Sequence, residues 1–271
     1  MIGFVPVTHG EYLYDTIVRR FIDQEANFCS SIRGLSGIGI GGRADQFSQY
    51  FSGALAFNVT ARVIKAAQKI IDHPDLGESL YKGNMLDFLC NQLKISPFQF
   101  NKADVNRLIN LALESARCRV QPITKATIRE ILGRETQRFC YICGAEVFAE
   151  TADNSTRIQY EHIWPRSFGG DSISENLLPS CGCCNNAKAS MVLWQDGPVH
   201  SFILAPNPSA DEFRIVTQRA RIAKHRQFIF VHAAEQRITL KSAALAVGPY
   251  DTLSIQCDDP SDAADFFSIH F

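Results

Sequence analysis

The stretches FCYIC (139–143) and CGCCN (181–185) each contain a Cys-x-x-Cys pair, and between them lies the segment YEHIWP (160–165). Two such pairs can supply the four thiolates of one tetrahedral zinc site. Because 37 residues lie between Cys143 and Cys181, one metal would draw two distant parts of the chain together. A four-cysteine site is closed to substrate, so we expect a structural zinc that decides the fold of the residues it encloses.

The chain has nine cysteines, and its N-terminal residues lack the pattern of a secretion signal. This combination favours reduced thiols and metal binding over a disulfide framework. Cys183 competes as a ligand, but Cys-x-x-Cys spacing forms a zinc knuckle more readily than Cys-x-Cys. The predicted zinc ligands are Cys140, Cys143, Cys181 and Cys184; the alternative is four cysteines without a metal. Three further cysteines in apolar helical contexts are interpreted as small core residues: Cys29, Cys90 and Cys118.

The composition is that of an ordinary globular protein, with 271 residues of which 46% are hydrophobic. No apolar stretch reaches the roughly 18 residues of a membrane-spanning helix, and we expect a cytoplasmic protein without a membrane partner. The formal net charge of −1 would be unusual for a protein that binds nucleic acid, because phosphate contacts need Lys or Arg. The basic residues are concentrated, however: residues 117–138 carry six basic and two acidic side chains, and residues 214–241 carry seven and one. These stretches flank the cysteine pairs.

Apolar periodicity predicts that residues 1–123 form a helical domain. Its expected helices cover residues 11–28, 54–72, 81–93 and 103–118. In the second helix one predicted core face carries Leu55, Val59, Val63, Ala66 and Ile70. The charges of this domain cancel, which favours contacts with a protein partner over contacts with phosphate.

Residues 124–195 are predicted to form the cysteine module, beginning with a short basic helix at 124–139. Residues 196–271 are predicted to form a mainly helical extension with an acidic tail. The extension would contain an extended piece at 199–206 and helices at 211–234 and 239–248. The polar face of helix 211–234 carries Arg214, Arg221 and His225, with Lys224 at its border. A solvated helix face and a contact with the DNA backbone both fit that pattern.

The enclosed segment resembles the HNH endonuclease family. The carrying residues are Glu161-His162 with Ile163-x-Pro165, Gly169-Gly170, Asn176-Leu177, and Cys184-Asn185 with Lys188. With the two knuckles the resemblance covers Phe139 to about Ser190. It implies two strands and a helix around a metal, so the expected class is α+β, mostly α, with a ββα-metal module at its centre.

Phosphodiester hydrolysis needs an activated water, a base and a cation. His162 is the natural base, because imidazole titrates near neutral pH. The resemblance implies that Glu161 and Asn185 hold Mg²⁺, with Mn²⁺ as a substitute, and that Asn176 positions the loop or the base. In a regular strand, however, Glu161 points away from the side of His162.

Further candidates for phosphate contacts are Arg166, Asn186 and Lys188. The chain departs from the family pattern at two ligands, since Glu161 stands where Asp is more frequent and Asn185 replaces the final His. Both departures keep an oxygen ligand.

The resulting hypothesis is a metal-dependent DNA endonuclease, by analogy a nuclease effector of a bacterial anti-phage or restriction system. The alternative is a catalytically inactive zinc module that binds nucleic acid or a protein partner. The sequence leaves RNA open as a substrate. Cutting of both DNA strands by one site per chain would favour a homodimer.

Overall fold

The computed structural model describes residues 3–22, 44–134, 138–192 and 209–250. This part of the chain is mostly helical with one small antiparallel sheet, which confirms an α+β class dominated by helices. In chain order the elements are α1 (His9–Arg20), α2 (Ala44–Ile71), α3 (Tyr81–Phe88), α4 (Lys102–Arg117), α5 (Lys125–Arg134), β1 (Ile158–His162), β2 (Leu177–Cys181), α6 (Gly182–Lys188), α7 (Ala210–Gln236) and α8 (Leu240–Val247). None of the described helices combines the length and apolar character that crossing a bilayer requires.

The chain divides into two compact units. The first, here called the cysteine unit, comprises Met1–Val5, Ile123–Ile163 and Ser172–Phe271. The second, the helical unit, comprises Pro6–Pro122 and Trp164–Asp171. The segment Trp164–Asp171 therefore belongs to a different unit from the strands that precede and follow it. The expected extended piece at 199–206 and the acidic tail lie outside the described residues.

Helix α1 of the helical unit begins with a capping box. The Thr8 side chain accepts from the Glu11 backbone N–H, and the Glu11 carboxylate accepts from the Thr8 N–H at 2.8 Å. These bonds satisfy donors that a helix start leaves unpaired, and they fix the start two residues before the expected position. Burial raises the pKa of Glu11 to about 7, although the backbone donors of Val7 and Thr8 oppose this.

The core face of α2 differs from the predicted one. Leu55 is exposed, while the buried positions include Ala56, Thr60 and Ala67. Thr60 enters the core because its hydroxyl donates to the backbone carbonyl of Ala56 at 2.7 Å, which satisfies a group that a hydropathy pattern counts as polar. Small side chains on this face suit the close packing of α2 against α1 and α4.

The segment Trp164–Asp171 packs tightly on the helical unit. The Gly10 N–H donates to the Gly169 carbonyl at 2.8 Å, and the indole of Trp164 lies 5.6 Å from the Tyr14 ring. Gly169 has a φ of +81° and lies so close to Ser115 that a Cβ would stand 2.5 Å from the Ser115 Cβ. Two glycines are thus required by close backbone approach.

In the cysteine unit β1 and β2 form an antiparallel pair in which Ile158 lies opposite Cys181 and His162 opposite Leu177. Helix α6 follows β2 directly, which gives the order strand, strand, helix. Helix α8 packs against α7, and Thr239 caps its start by accepting from the Ser242 N–H.

We expect Gly10→Ala to lower the free energy of unfolding by about 1–3 kcal/mol or more, because the new Cβ would stand 1.9 Å from the Phe168 carbonyl oxygen. Gly83→Ala is the matched control in the same unit: no atom lies within 4 Å of its Cβ position, and loss of a helical glycine should stabilise by about 0.5–1 kcal/mol. Urea unfolding of both variants measures the difference. Equal stability of the two variants would contradict the packing described.

Candidate functional site

Four cysteine side chains converge in the cysteine unit. The Sγ atoms of Cys140, Cys143, Cys181 and Cys184 all lie within 4.8 Å of one another. The Cys143 and Cys181 sulfurs are 3.9 Å apart, close to the edge of about 3.8 Å expected for a tetrahedron with Zn–S bonds of about 2.3 Å. These four residues can hold a metal ion such as zinc, and they are the four predicted ligands.

Each knuckle is shaped by local backbone bonds. In the first, Gly144 adopts a φ of +74° and its N–H donates to the Cys140 carbonyl at 2.8 Å. In the second, the Cys184 N–H donates to the Cys181 sulfur at 3.3 Å. Cys183 is exposed and lies outside the cluster, which confirms its interpretation as a bystander.

The cluster disfavours four simultaneous negative charges. Hydrogen bonds with neighbouring thiols lower the pKa of Cys140 and Cys181, and the same contacts raise the pKa of Cys143 and Cys184. A zinc ion would supply the positive charge that lets all four thiols ionise. The donor set is soft and closed, which fits a structural zinc and not a catalytic one.

His162, the predicted base, ends strand β1 and is half-buried. Its Nε2 lies 3.0 Å from the Ser172 hydroxyl, and both residues belong to the cysteine unit. This hydrogen bond restrains the imidazole ring.

Glu161 has different surroundings. Its side chain is 3% exposed, and Lys188, which is fully buried, places its Nζ 2.5 Å from Oε1. The Tyr141 hydroxyl donates to Oε2 at 2.7 Å, and Lys188 also donates to the His162 carbonyl at 3.0 Å. Burial and the nearby carboxylate raise the pKa of Tyr141 well above its ordinary value, so the phenol remains a donor.

The phosphate contact predicted for Lys188 does not agree with this geometry. A fully buried ammonium that is paired with Glu161 cannot reach a ligand in solvent. No local pattern predicts this pairing, because residues 27 positions apart meet only when α6 packs on β1.

Asn185 lies half-buried on α6, and its amide nitrogen donates to the Gln159 side chain. Gln159 and Glu161 share one face of β1, so the structure brings both predicted Mg²⁺ ligands to that face. Asn176 is buried, and its backbone carbonyl accepts from the Ile163 N–H at 2.9 Å.

The donor set does not fit Mg²⁺ as it stands. Magnesium needs oxygen ligands in near-octahedral geometry. Both oxygens of Glu161 already have partners, and one of these, the Lys188 ammonium, carries the positive charge that a metal would supply. Binding through Glu161 would require that ammonium to move.

Comparisons with protein-family models, with curated proteins and with solved structures found no match. The HNH resemblance therefore rests on the ordered residue string and on the succession of β1, β2 and α6.

The predicted phosphate-contact residues differ in exposure. Arg166, Asn186 and Arg221 are exposed, Arg166 in the helical unit and the other two in the cysteine unit. Lys224 is only 7% exposed, so the predicted contact of this side chain with nucleic acid does not agree with the structure. The side chain of Arg214 lies outside the described residues.

Part of the predicted basic face of α7 is in fact core. His225 Nε2 lies 2.7 Å from the Gly248 carbonyl, and burial lowers the pKa of His225 to about 4, so this ring is neutral at neutral pH. Arg226 is buried and its Nε donates to the Val192 carbonyl at 2.6 Å. Backbone carbonyls thus accept hydrogen bonds from side chains of α7, and these bonds allow polar side chains to be buried.

Sequence reasoning missed three contacting residues, Tyr141, Gln159 and Ser172. Gln159 was detectable in principle, because it precedes Glu161 by two positions and shares its strand face. Tyr141 and Ser172 approach from other parts of the chain, and no local pattern marks them.

Removal of zinc should unfold the cysteine unit before it affects the helical unit. We expect Cys143→Ser, or a strong chelator, to lower the unfolding temperature, because a four-cysteine site contributes directly to folding free energy. Cys183→Ser is the matched control and should leave both the unfolding temperature and the zinc content unchanged. Calorimetry with metal analysis tests this; equal loss of zinc in both variants would contradict the ligand assignment.

We expect Lys188→Met to lower the free energy of unfolding by about 3–5 kcal/mol, because it leaves a buried carboxylate without its cation. The double variant Glu161→Gln/Lys188→Met should recover much of the loss. Denaturant midpoints of the single and double variants give the coupling. Additive effects would show that the two side chains do not depend on one another.

Proposed function

We propose that the protein is an HNH-type endonuclease that hydrolyses phosphodiester bonds of DNA. The observation that carries the proposal is the succession of β1, β2 and α6 beside a four-cysteine cluster. It supports the proposal because Glu161 and His162 end the first strand and Asn185 lies on the helix, as the resemblance implies.

In this proposal His162 removes the proton from the attacking water. The ring is half-buried, so it keeps a route to solvent, and its bond to Ser172 limits its rotation. Orientation of a base within hydrogen-bond distance of its water is the geometric condition for general base catalysis. Asn186 and Arg221 are the exposed polar side chains of the same unit that are proposed to contact phosphate.

A divalent cation would stabilise charge on the phosphate and the leaving oxygen. The resemblance implies Mg²⁺ or Mn²⁺ for this role, and Glu161 as placed does not support it. The cation requirement is therefore tested separately from the role of His162.

A non-catalytic zinc module that binds nucleic acid or a protein partner is the second candidate. The buried contacts of Glu161 with Lys188 and Tyr141 favour it, because they leave neither carboxylate oxygen without a partner. Both candidate functions are compatible with a protein partner that contacts the helical unit. Both are also compatible with a homodimer.

Plasmid cleavage tests the first candidate. We expect supercoiled DNA to be nicked or linearised with Mg²⁺ or Mn²⁺ and to stay intact with EDTA. His162→Ala should lower the rate by at least about 100-fold, because a general base contributes about 10²–10⁴. The control is His232→Ala, a half-buried histidine on α7 of the same unit, which should keep the rate. Cleavage that survives His162→Ala would overturn the assignment, and preferential cutting of structured RNA would change the substrate.

The Lys188→Met variant separates the two candidates without relying on activity. If Glu161 can bind a metal, Mn²⁺ should raise the unfolding temperature of this variant by several degrees and leave Glu161→Gln/Lys188→Met unchanged. If the pair is only structural, Mn²⁺ should affect the two variants equally.

A further inference from the structure

A second cluster of metal-ligating side chains lies in the helical unit, away from the four cysteines in sequence. His9 is the first residue of α1, Cys118 follows the last residue of α4, and Asp171 ends the segment Trp164–Asp171. Their ligand atoms all lie within 4.8 Å of one another. The sequence had suggested only a small core residue at Cys118.

The distances between the three ligand atoms suit one metal ion bound by all three. His9 Nδ1 lies 2.9 Å from an Asp171 carboxylate oxygen, the Cys118 sulfur lies 3.2 Å from that oxygen, and the Cys118 sulfur lies 4.0 Å from His9 Nδ1. Ligand atoms around a tetrahedral zinc stand about 3.3–3.8 Å apart. The observed distances bracket that range, so small side-chain rotations are enough to receive an ion.

The cluster has a buried base and an open side. Cys118 is buried, the Asp171 side chain is 12% exposed, and the His9 side chain is 44% exposed. A metal held by these three groups would keep a fourth position toward solvent on the side of His9. Three protein ligands with one open position form the arrangement of zinc sites that bind water or substrate.

The ligands are held in place before any metal binds. The His9 N–H donates to the Asp171 carboxylate at 2.8 Å, and the neighbouring Gly10 N–H donates to Gly169 at 2.8 Å. The close approach at Gly10 and Gly169 fixes the segment on α1 and α4. Preorganised ligands reduce the ordering cost of binding.

Asp171 affects the protonation of the two other ligands. The hydrogen bond to Asp171 raises the pKa of His9 despite its partial burial, and burial with the adjacent carboxylate raises the pKa of the Cys118 thiol. A divalent cation would favour the deprotonated thiol and imidazole, as it does at other thiolate and imidazole ligands.

We propose that His9, Cys118 and Asp171 bind a zinc ion that is distinct from the four-cysteine zinc and keeps one position open for water or a small ligand. One sulfur, one nitrogen and one oxygen donor suit zinc, and they do not suit Mg²⁺ or Ca²⁺. This proposed site does not depend on the nuclease proposal, and a test of either one leaves the other unaffected.

Zinc titration of the chelator-treated and refolded full chain tests the proposal, in a Cys183→Ser background that removes an exposed thiol. The parent should bind two equivalents, and His9→Ala and Cys118→Ala should each bind one. His73→Ala, an exposed histidine of the same unit, should still bind two. Asp171→Asn, which keeps an acceptor for the His9 N–H, should weaken binding of the second equivalent by at least about 10-fold, the smallest loss typical even of an outer-shell partner.

Cobalt substitution identifies the donors of the second ion. The difference spectrum between the parent and His9→Ala, both loaded with Co²⁺, should contain a thiolate charge-transfer band and tetrahedral d–d bands. A parent that binds one equivalent, or a second equivalent that persists in His9→Ala, overturns the site. A difference spectrum without a thiolate band overturns the role of Cys118. Circular dichroism of His9→Ala, whose side chain is half-exposed, verifies that the loss is not a loss of fold.

Discussion

The mutual approach of four thiols is the constraint on which the cysteine unit depends. Sulfur atoms within 4.8 Å of one another cannot all be ionised without a cation among them. The cluster lies at the end of the sheet where Cys181 pairs with Ile158, whereas Glu161 and His162 lie at the other end. The strand rises by about 13 Å over the four steps from Ile158 to His162. A metal at the cysteines would therefore affect the candidate site by holding β1 and β2 in their pairing. A shift of that pairing by one residue would move each of Glu161 and His162 to the opposite face of the sheet.

Local patterns were enough to predict most of the helices and the ligands of the cysteine cluster. Cys-x-x-Cys spacing fixes a knuckle within four residues, and apolar periodicity over 16 residues predicted α4 closely. The errors at charged and histidine side chains share one physical cause. Lys188, Lys224 and His225 carry polar groups that a sequence pattern assigns to water, and the fold buries them. For Lys188 the compensating group is Glu161, and for His225 it is a backbone carbonyl, and neither is visible from spacing.

The continuous residue string of the HNH resemblance is divided between two units. Its middle part, with Gly169 and Gly170, packs in the helical unit, and the parts before and after belong to the cysteine unit. The segment that belongs to the helical unit begins at Trp164, two residues after His162, and ends at Asp171. A hydrogen bond joins His162, which precedes this segment, to Ser172, which follows it. Gly169 is explained by close contact with α1 and α4 and not by chain flexibility. Sequence adjacency thus gave no indication of which core each part of the motif joins.

The ion pair between Glu161 and Lys188 bears most directly on the proposed function. Burial of two charges costs several kcal/mol per ion, and well-packed apolar residues of similar volume are often as stabilising. Stability alone therefore does not explain a carboxylate at this position. A site that must present a negative charge to a cation has a reason to keep it, and when the cation is absent an ammonium on a flexible stem can compensate that charge. Lys188 lies at the end of α6, so its ammonium reaches Glu161 from the last residue of that helix. The ion pair with Lys188 makes Glu161 a poor Mg²⁺ ligand in this conformation. The same ion pair would neutralise the carboxylate of a site that binds and releases its metal, during the time when no metal is bound.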